Sequence, residues 1–222
     1  MTTRRPKYIT FDCYGTLIDF RVAPAARIIF ADRIPGERMD AFCADFAAFR
    51  LDEVLGAWKP YPDVIADALA RSCAAWKLRF EPSDAARLYA AIPDWPPHPD
   101  VPDALARIAT AYPLVILSNS MTDLIPHSVA KLGAPFHAVF TAEEAGAYKP
   151  RMRAFEYMLD SLGCGPEDIF HCSSSFRYDL MTAQDMHIAN KAFVNRGHEP
   201  PHPSYGSHEI RDIGELPSLL GI

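Results

Sequence analysis

Residues 8–17 read Tyr8-Ile-Thr-Phe-Asp12-Cys-Tyr14-Gly-Thr16-Leu17, an apolar, strand-like run that delivers one carboxylate, Asp12, into a turn containing Gly15 and Thr16. In open α/β sheets ligands bind beyond the carboxyl ends of the strands, and a carboxylate placed there can attack an electrophile to form a covalent ester. One short segment thus points both to a fold class and to a nucleophile. Asp is also a common turn residue, so a turn-and-cap role for Asp12 competes when this segment is taken alone.

Outward from this stretch, residues 114–117, 138–140, 169–172 and 191–194 form further short apolar runs bounded by turn signals. Between them, 102–111, 123–132, 151–162 and 179–186 carry helical spacing. Short buried strands alternating with helices predict an α/β fold with a Rossmann-like parallel sheet and crossover helices. Residues 20–97 break the alternation: they show helical periodicity over 23–32, 38–54, 62–76 and 83–92, followed by the connector Pro93-Asp-Trp-Pro-Pro-His-Pro99. The expected organisation is a core of residues 1–19 and 98–222 with a helical cap, 20–97, inserted after the first strand. Such a cap excludes water and adds specificity groups. The alternative is a set of extra core helices with no lid role.

With 222 residues, 49% hydrophobic and 23% charged, the chain can bury a sizeable core. Its formal net charge of −6 gives no basic footprint for nucleic acid or an anionic membrane, so neither is an expected partner. The start, Met1-Thr-Thr-Arg-Arg-Pro-Lys7, is basic, but the apolar stretch after it is short and runs directly into Asp12. It reads as neither signal peptide nor anchor, and no later run approaches membrane-spanning length. Cys13, Cys43, Cys73, Cys164 and Cys172 are odd in number and contain no Cys-x-x-Cys pair, which predicts reduced thiols in a cytoplasmic protein. Cys13 adjoins the nucleophile candidate, yet the simpler reading is a buried small hydrophobe. His198, His202 and His208, in or beside a Pro- and His-rich loop, are read as solvated loop histidines and not as a metal set.

Three later segments share the strand-to-polar-turn pattern. Leu114-Val-Ile-Leu-Ser118-Asn119-Ser120 offers donors for a carboxylate or oxyanion, or caps for the next helix. Ala147-Tyr148-Lys149-Pro150 places an ammonium before a helix that Pro150 can start; near Asp12 it would keep that carboxylate ionised, and otherwise it is a surface lysine. Ile169-Phe-His-Cys-Ser173-Ser174-Ser175-Phe176-Arg177-Tyr178-Asp179 ends in hydroxyls and a second carboxylate, which can activate water or cap the helix after it.

In this order, Asp12, Ser118, Lys149 and Asp179 resemble the four motif positions of the haloacid dehalogenase superfamily, and within it the type II 2-haloacid dehalogenases, over essentially the whole chain. Phosphatases of the superfamily carry a second aspartate two residues after the nucleophile; this chain has Tyr14 there. Tyrosine cannot replace a carboxylic acid of ordinary pKa as proton donor near neutral pH, so phosphate hydrolysis is disfavoured. The serine-rich fourth motif points the same way, and with Lys149 supplying positive charge no metal or other cofactor is required.

The resemblance implies that Asp12 displaces the C2 substituent of a small carboxylic acid, and that water positioned by Asp179 and Ser174 then hydrolyses the ester. It further implies that Thr16, Ser118 and Lys149 hold the nucleophile and that Arg50, Asn119 and Tyr178 cradle the leaving group. Tyr14, Phe155 and Phe176 fall at further substrate-contact positions; the last two stand where the family has a tyrosine and a water-holding asparagine. A homodimer, as in similar dehalogenases, is compatible with an apolar cap face. Three alternatives stay open at this level: C–N cleavage of a strained cyclic amino acid such as L-azetidine-2-carboxylate by the same ester chemistry, a phosphatase, and a non-catalytic scaffold.

Overall fold

The computed structural model describes residues 5–222; the first part of the basic start, residues 1–4, lies outside them. Two compact units emerge, one made of the residues up to Asp19 together with Pro96–Ile222, the other of Phe20–Trp95.

The larger unit is built on a six-stranded sheet in the order β3-β2-β1-β4-β5-β6. The strands are β1 (Tyr8–Phe11), β2 (Leu114–Ser118), β3 (Ala138–Thr141), β4 (Ile169–Ser173), β5 (Lys191–Val194) and β6 (His208–Ile210), and every neighbouring pair is parallel. β2 and β4 are buried along their whole length, as expected of parallel strands covered on both faces. Because β2 and β4 lie on opposite sides of β1, the strand order reverses there, and the carboxyl ends of these three strands define the crevice where such sheets bind ligands.

Helices α5 (Val101–Ala109) and α8 (Met152–Leu162) each bury one stripe: Val101, Ala104, Leu105 and Ile108 in α5; Ala154, Phe155, Met158 and Leu159 in α8. That spacing is what the sequence periodicity requires of a helix laid on a sheet. Gly163, in the left-handed region at φ 61°, ends α8. Between β3 and α8, the short helix α7 (Ala142–Ala145) begins with a reciprocal Thr141–Glu144 capping box.

The smaller unit is all-helical: α1 (Val22–Phe30), α2 (Gly36–Leu55), α3 (Tyr61–Ala75) and α4 (Pro82–Ala90). Its interior holds Phe30, Phe42, Phe46, Ile65, Leu69 and Leu88. The Phe30 and Phe42 rings lie 4.8 Å apart, and Arg33 holds the buried Asp84 through two bonds of 2.7 and 3.0 Å. Among the described residues no helix is long and apolar enough to cross a membrane.

The structure departs from the sequence reading in several places. Strand β6, outside the runs singled out, is a three-residue edge strand whose first two residues are exposed, so it carries no apolar run to read. The helix expected over 123–132 is only α6 (Ile125–Val129). The helix expected over 179–186 begins earlier, as a π-helical turn, Phe176–Leu180, that passes into α9 (Met181–Asp185). Pro150 does not start α8, which begins at Met152 with Arg151 as its N-cap.

Candidate active site

Asp12 follows β1 directly, and its backbone N–H donates to the Cys172 carbonyl at 3.0 Å, which continues the β1–β4 pairing one residue past the strand. The chain then turns back: Gly15 takes φ 97°, and the amides of Leu17 and Ile18 both donate to the Cys13 carbonyl. A positive φ favours glycine, which explains the residue at this position. The turn brings Thr16 over the carboxylate it follows. Thr16 Oγ1 accepts from the Ser174 amide at 2.9 Å and donates to Asp12 Oδ2 at 2.7 Å, so the amide directs the hydroxyl proton toward the carboxylate. Ser174 Oγ lies 3.2 Å from the same Thr16 oxygen.

Lys149 supplies the opposite charge. Its Nζ donates to Asp12 Oδ1 at 2.8 Å, to Asp179 Oδ1 at 2.7 Å and to the Leu117 carbonyl at 2.8 Å, which uses all three ammonium protons. The lysine backbone is held as well: Asn119 donates Nδ2–H to the Lys149 carbonyl at 2.9 Å and accepts the Lys149 N–H at 2.7 Å. Neither Ser118 nor Asn119 caps α6, whose N-cap is Leu124. The Asn119 amide, expected to face the leaving group, is spent largely on positioning Lys149.

Asp179 lies within the π-helical turn and does not cap a helix; Ser175 is the N-cap, accepting from the Tyr178 amide. Its Oδ1 accepts from Lys149 and meets His171 Nε2 at 3.0 Å, while Oδ2 is buried without a hydrogen-bond partner. Ser118 Oγ, at the end of the strand on the other side of β1, is likewise buried and unpartnered. Buried polar atoms are normally satisfied, so these two oxygens mark places where a ligand or water belongs.

Two carboxylates share one ammonium, and the electrostatics divide between them. Burial pushes the Asp12 carboxyl above the usual range; Lys149 and Thr16 oppose this, and the Asp179 charge adds to it. Burial also works against the Asp179 charge, yet Lys149 and His171 outweigh it and hold Asp179 below the usual range. The two carboxylates similarly overcome the burial of Lys149 and hold its ammonium above the ordinary lysine value. Lys149 therefore limits the rise at Asp12 and does not hold that group below normal.

The remaining sequence-predicted residues are placed as follows. Tyr14 is half-buried with its hydroxyl 2.9 Å from Ser128 Oγ, and Tyr178 is half-buried. Arg50 belongs to the helical unit, where its guanidinium lies 4.8 Å from the Phe20 ring centroid and one terminal nitrogen is buried without a hydrogen-bond partner. Phe155 and Phe176, expected at the substrate, are both buried in apolar clusters. Phe155 is fully buried in the cluster that includes Val115, Leu117 and Met158. Phe176 packs on Phe193, 4.5 Å between ring centroids, with Tyr205 beside it. Apolar rings in those environments gain from burial and present no polar group to water. Burial also pushes the Cys13 thiol far up, which makes it inert.

Sequence reasoning missed His171, Glu199 and Arg196. Glu199 accepts from Ser175 Oγ at 2.6 Å and from the amides of Phe176 and Arg177, which fastens the start of the π-helical turn. Arg196 grips Asp100 through two bonds of 2.8 Å and donates to the Thr16 carbonyl at 3.0 Å. His171 sits inside an apolar strand run, which is the available signal: a titratable ring in mid-strand, which the β1–β4 register pairs directly with Thr10.

The position bridging Asp12 and Asp179 is held by the Lys149 ammonium, and residue 14 offers a phenol in place of a second acid. Among the described residues no group of three or more His, Cys, Asp or Glu side chains is arranged to hold a metal ion. His202 and His208 instead pack on Phe176 and Phe170.

A strand-end aspartate held by a threonine and a buried lysine, with a second aspartate across the lysine, defines a hydrolase of the aspartyl-nucleophile kind. The chain belongs to the haloacid dehalogenase-like hydrolase family, whose model matches residues 6–187. It is similar to (S)-2-haloacid dehalogenase 4A of Burkholderia cepacia, 24% identical over 220 residues, 95% of this chain and 93% of that one. It is 29% identical over 176 residues to haloacetate dehalogenase H-2 of Moraxella sp. (strain B), covering 75% of this chain and 76% of the relative. The solved L-2-haloacid dehalogenase of Xanthobacter autotrophicus with chloropropionic acid covalently bound shares the fold, with a TM-score of 0.79 at 23% identity over 97% of this chain and 98% of that one.

Proposed function

We propose that this protein is a hydrolase of (S)-2-haloacid dehalogenase type, which converts a short 2-haloacid to the 2-hydroxy acid through an ester on Asp12. The observation that carries the reading is the arrangement of Lys149 between Asp12 and Asp179, with Thr16 on the other Asp12 oxygen. It holds a nucleophile and a base side by side without calling on a metal. The names of the relatives, two of them 2-haloacid or haloacetate dehalogenases, support the same chemistry.

In the first step an Asp12 oxygen attacks C2, the C–halogen bond breaks with its electron pair leaving as halide, and the C2–O ester bond forms. In the second, water attacks Asp12 Cγ while Asp179 Oδ2, the unpartnered oxygen, takes one water proton. The Cγ–O bond to the product then breaks, the product oxygen takes that proton, and Asp12 loses the other to solvent and returns to a carboxylate. Ser118 Oγ is a free donor for the substrate carboxylate. The relatives' names favour carbon–halogen cleavage over the opening of a cyclic amine. Four thiols are buried and Cys164 is half-buried, all unpaired, which supports a reducing, cytoplasmic setting.

A panel of 2-chloropropionate enantiomers, azetidine-2-carboxylate and a phosphate ester, each with EDTA and with magnesium, tests the assignment. Turnover is expected with the (S)-haloacid and unchanged by EDTA, and in heavy-oxygen water a single turnover leaves the label on Asp12. Label in the product alone after one turnover, or a strict magnesium requirement, refutes the ester mechanism.

A further inference from the structure

His171 is a fully buried ring in the middle of β4 that the two steps above do not use. It is faced from three elements. From β1, Thr10 Oγ1 lies 2.8 Å from Nδ1; from the π-helical turn, Asp179 Oδ1 lies 3.0 Å from Nε2; from α8, the Phe155 ring packs edge-on at 5.3 Å. The hydrogen-bond inventory fixes one proton. An ionised carboxylate only accepts, so a 3.0 Å contact with it is favourable only when Nε2 carries hydrogen. The Thr10 hydroxyl can either donate to Nδ1 or accept from it, so the other nitrogen is satisfied in both cases.

We propose that His171 is a positioning residue for ester hydrolysis: it donates Nε2–H to Asp179 Oδ1 and, together with Lys149, saturates that oxygen, so that Oδ2 alone is left to receive the water proton. The inference rests on the two-step reading above and extends it. Lys149 by itself does not fix the carboxylate, because a single ammonium contact leaves rotation about the Cβ–Cγ bond unrestrained. Two donors converging on Oδ1 from β4 and from Lys149 define the plane of the group. The edge of Phe155 in turn holds the imidazole, which gives that aromatic residue a purpose away from the substrate. The same donor also stabilises the Asp179 charge.

Two isosteric replacements separate this role from simple packing. His171→Gln can place an amide N–H where Nε2 stands, whereas His171→Asn can reach Thr10 but not Asp179. With 2-chloropropionate as probe and intact-mass detection of the Asp12 adduct, His171→Asn should form ester within a few-fold of wild type. It should hydrolyse that ester about 10²-fold more slowly, the scale of a misplaced catalytic group. His171→Gln should stay near wild type. Equal impairment of both variants, or wild-type hydrolysis in His171→Asn, overturns the proposal. The ¹⁵N shift of the His171 ring gives a readout free of substrate and of variant folding: Nε2 is expected to be protonated, and an unprotonated Nε2 overturns the positioning role by itself. Failure of the dehalogenase reading looks different, with no adduct in wild type or in Asp179→Asn while Nε2 still carries its proton.

Discussion

Replacing Lys149 by methionine keeps the length of the side chain and removes the one cation that two buried carboxylates share. The contacts to Asp12 and Asp179 are 2.8 and 2.7 Å. At an effective dielectric of about 20, each corresponds to a gross attraction of about 6 kcal/mol. Most of that offsets the desolvation of the ammonium, and the measured cost of removing one partner of a buried ion pair is about 3–5 kcal/mol. The variant can relieve this by protonating one carboxylate. Burial already pushes Asp12 upward while Asp179 keeps His171, so the proton goes to Asp12. A protonated Asp12 does not attack carbon. Ester formation at neutral pH should therefore fall by about 10²–10⁴-fold, the rate equivalent of that energy. The sign with pH follows: losing the group that lowers the Asp12 pKa moves the acid limb of the ester-forming step to higher pH, and raising the pH restores part of the rate. Rapid-quench detection of the Asp12 adduct across a pH series measures this directly. A loss by the same factor at every pH, with the acid limb unmoved, would show that Lys149 does something other than keep Asp12 ionised.

Asp179→Asn should preserve much of ester formation and slow hydrolysis by about 10²–10⁴-fold, the range for a lost general base, so that the Asp12 adduct accumulates; absence of adduct in a folded variant assigns Asp179 to the first step. Asp12→Asn should abolish adduct and turnover yet leave the melting temperature at pH 7 equal or raised by about 2–4 °C per 1 kcal/mol gained. The folded pKa of Asp12 is raised, so the folded protein loses stability as pH climbs from the ordinary carboxylate range through that value, and the amide removes the loss. Asp179 behaves oppositely: its lowered pKa contributes stability that is present above the ordinary carboxylate range and lost as pH falls through the folded value, so Asp179→Asn should melt lower at pH 7. Calorimetry of the two variants checks the pair, and a several-degree drop in Asp12→Asn contradicts the direction assigned to that group.

The legible parts of this fold are those where one local pattern decides. Tyr8–Phe11 is a short apolar run ending in Asp12, and each of the flanking strands repeats the plan, so the sheet and its polar carboxyl edge can be read without contacts. Residues 20–97 stood out because helical spacing replaced that alternation, and the compact helical unit spans Phe20–Trp95. Illegible were features set by partners distant in sequence. The reciprocal Asn119–Lys149 bonds, the Phe155 and Phe176 clusters and the His171–Asp179 contact depend on which strands become neighbours, and a family position does not say whether a side chain faces the crevice or the core. The π-helical turn was unreadable for a related reason. Glu199, 23 residues beyond Phe176, supplies the acceptor that holds its first amides.

The grip of Arg196 on the Thr16 carbonyl and the anchoring of Phe176 by Glu199 both come from beyond residue 187, where the match to the family model stops. A chain ending there would keep Asp12, Thr16, Ser118, Lys149 and Asp179, and would still lose two of the ties that set the reach of the nucleophile loop and of the second aspartate. The working centre thus extends past the recognisable signature. Exchange of the last thirty-five or so residues with those of a relative, an operation that leaves every motif untouched, alters the machinery itself.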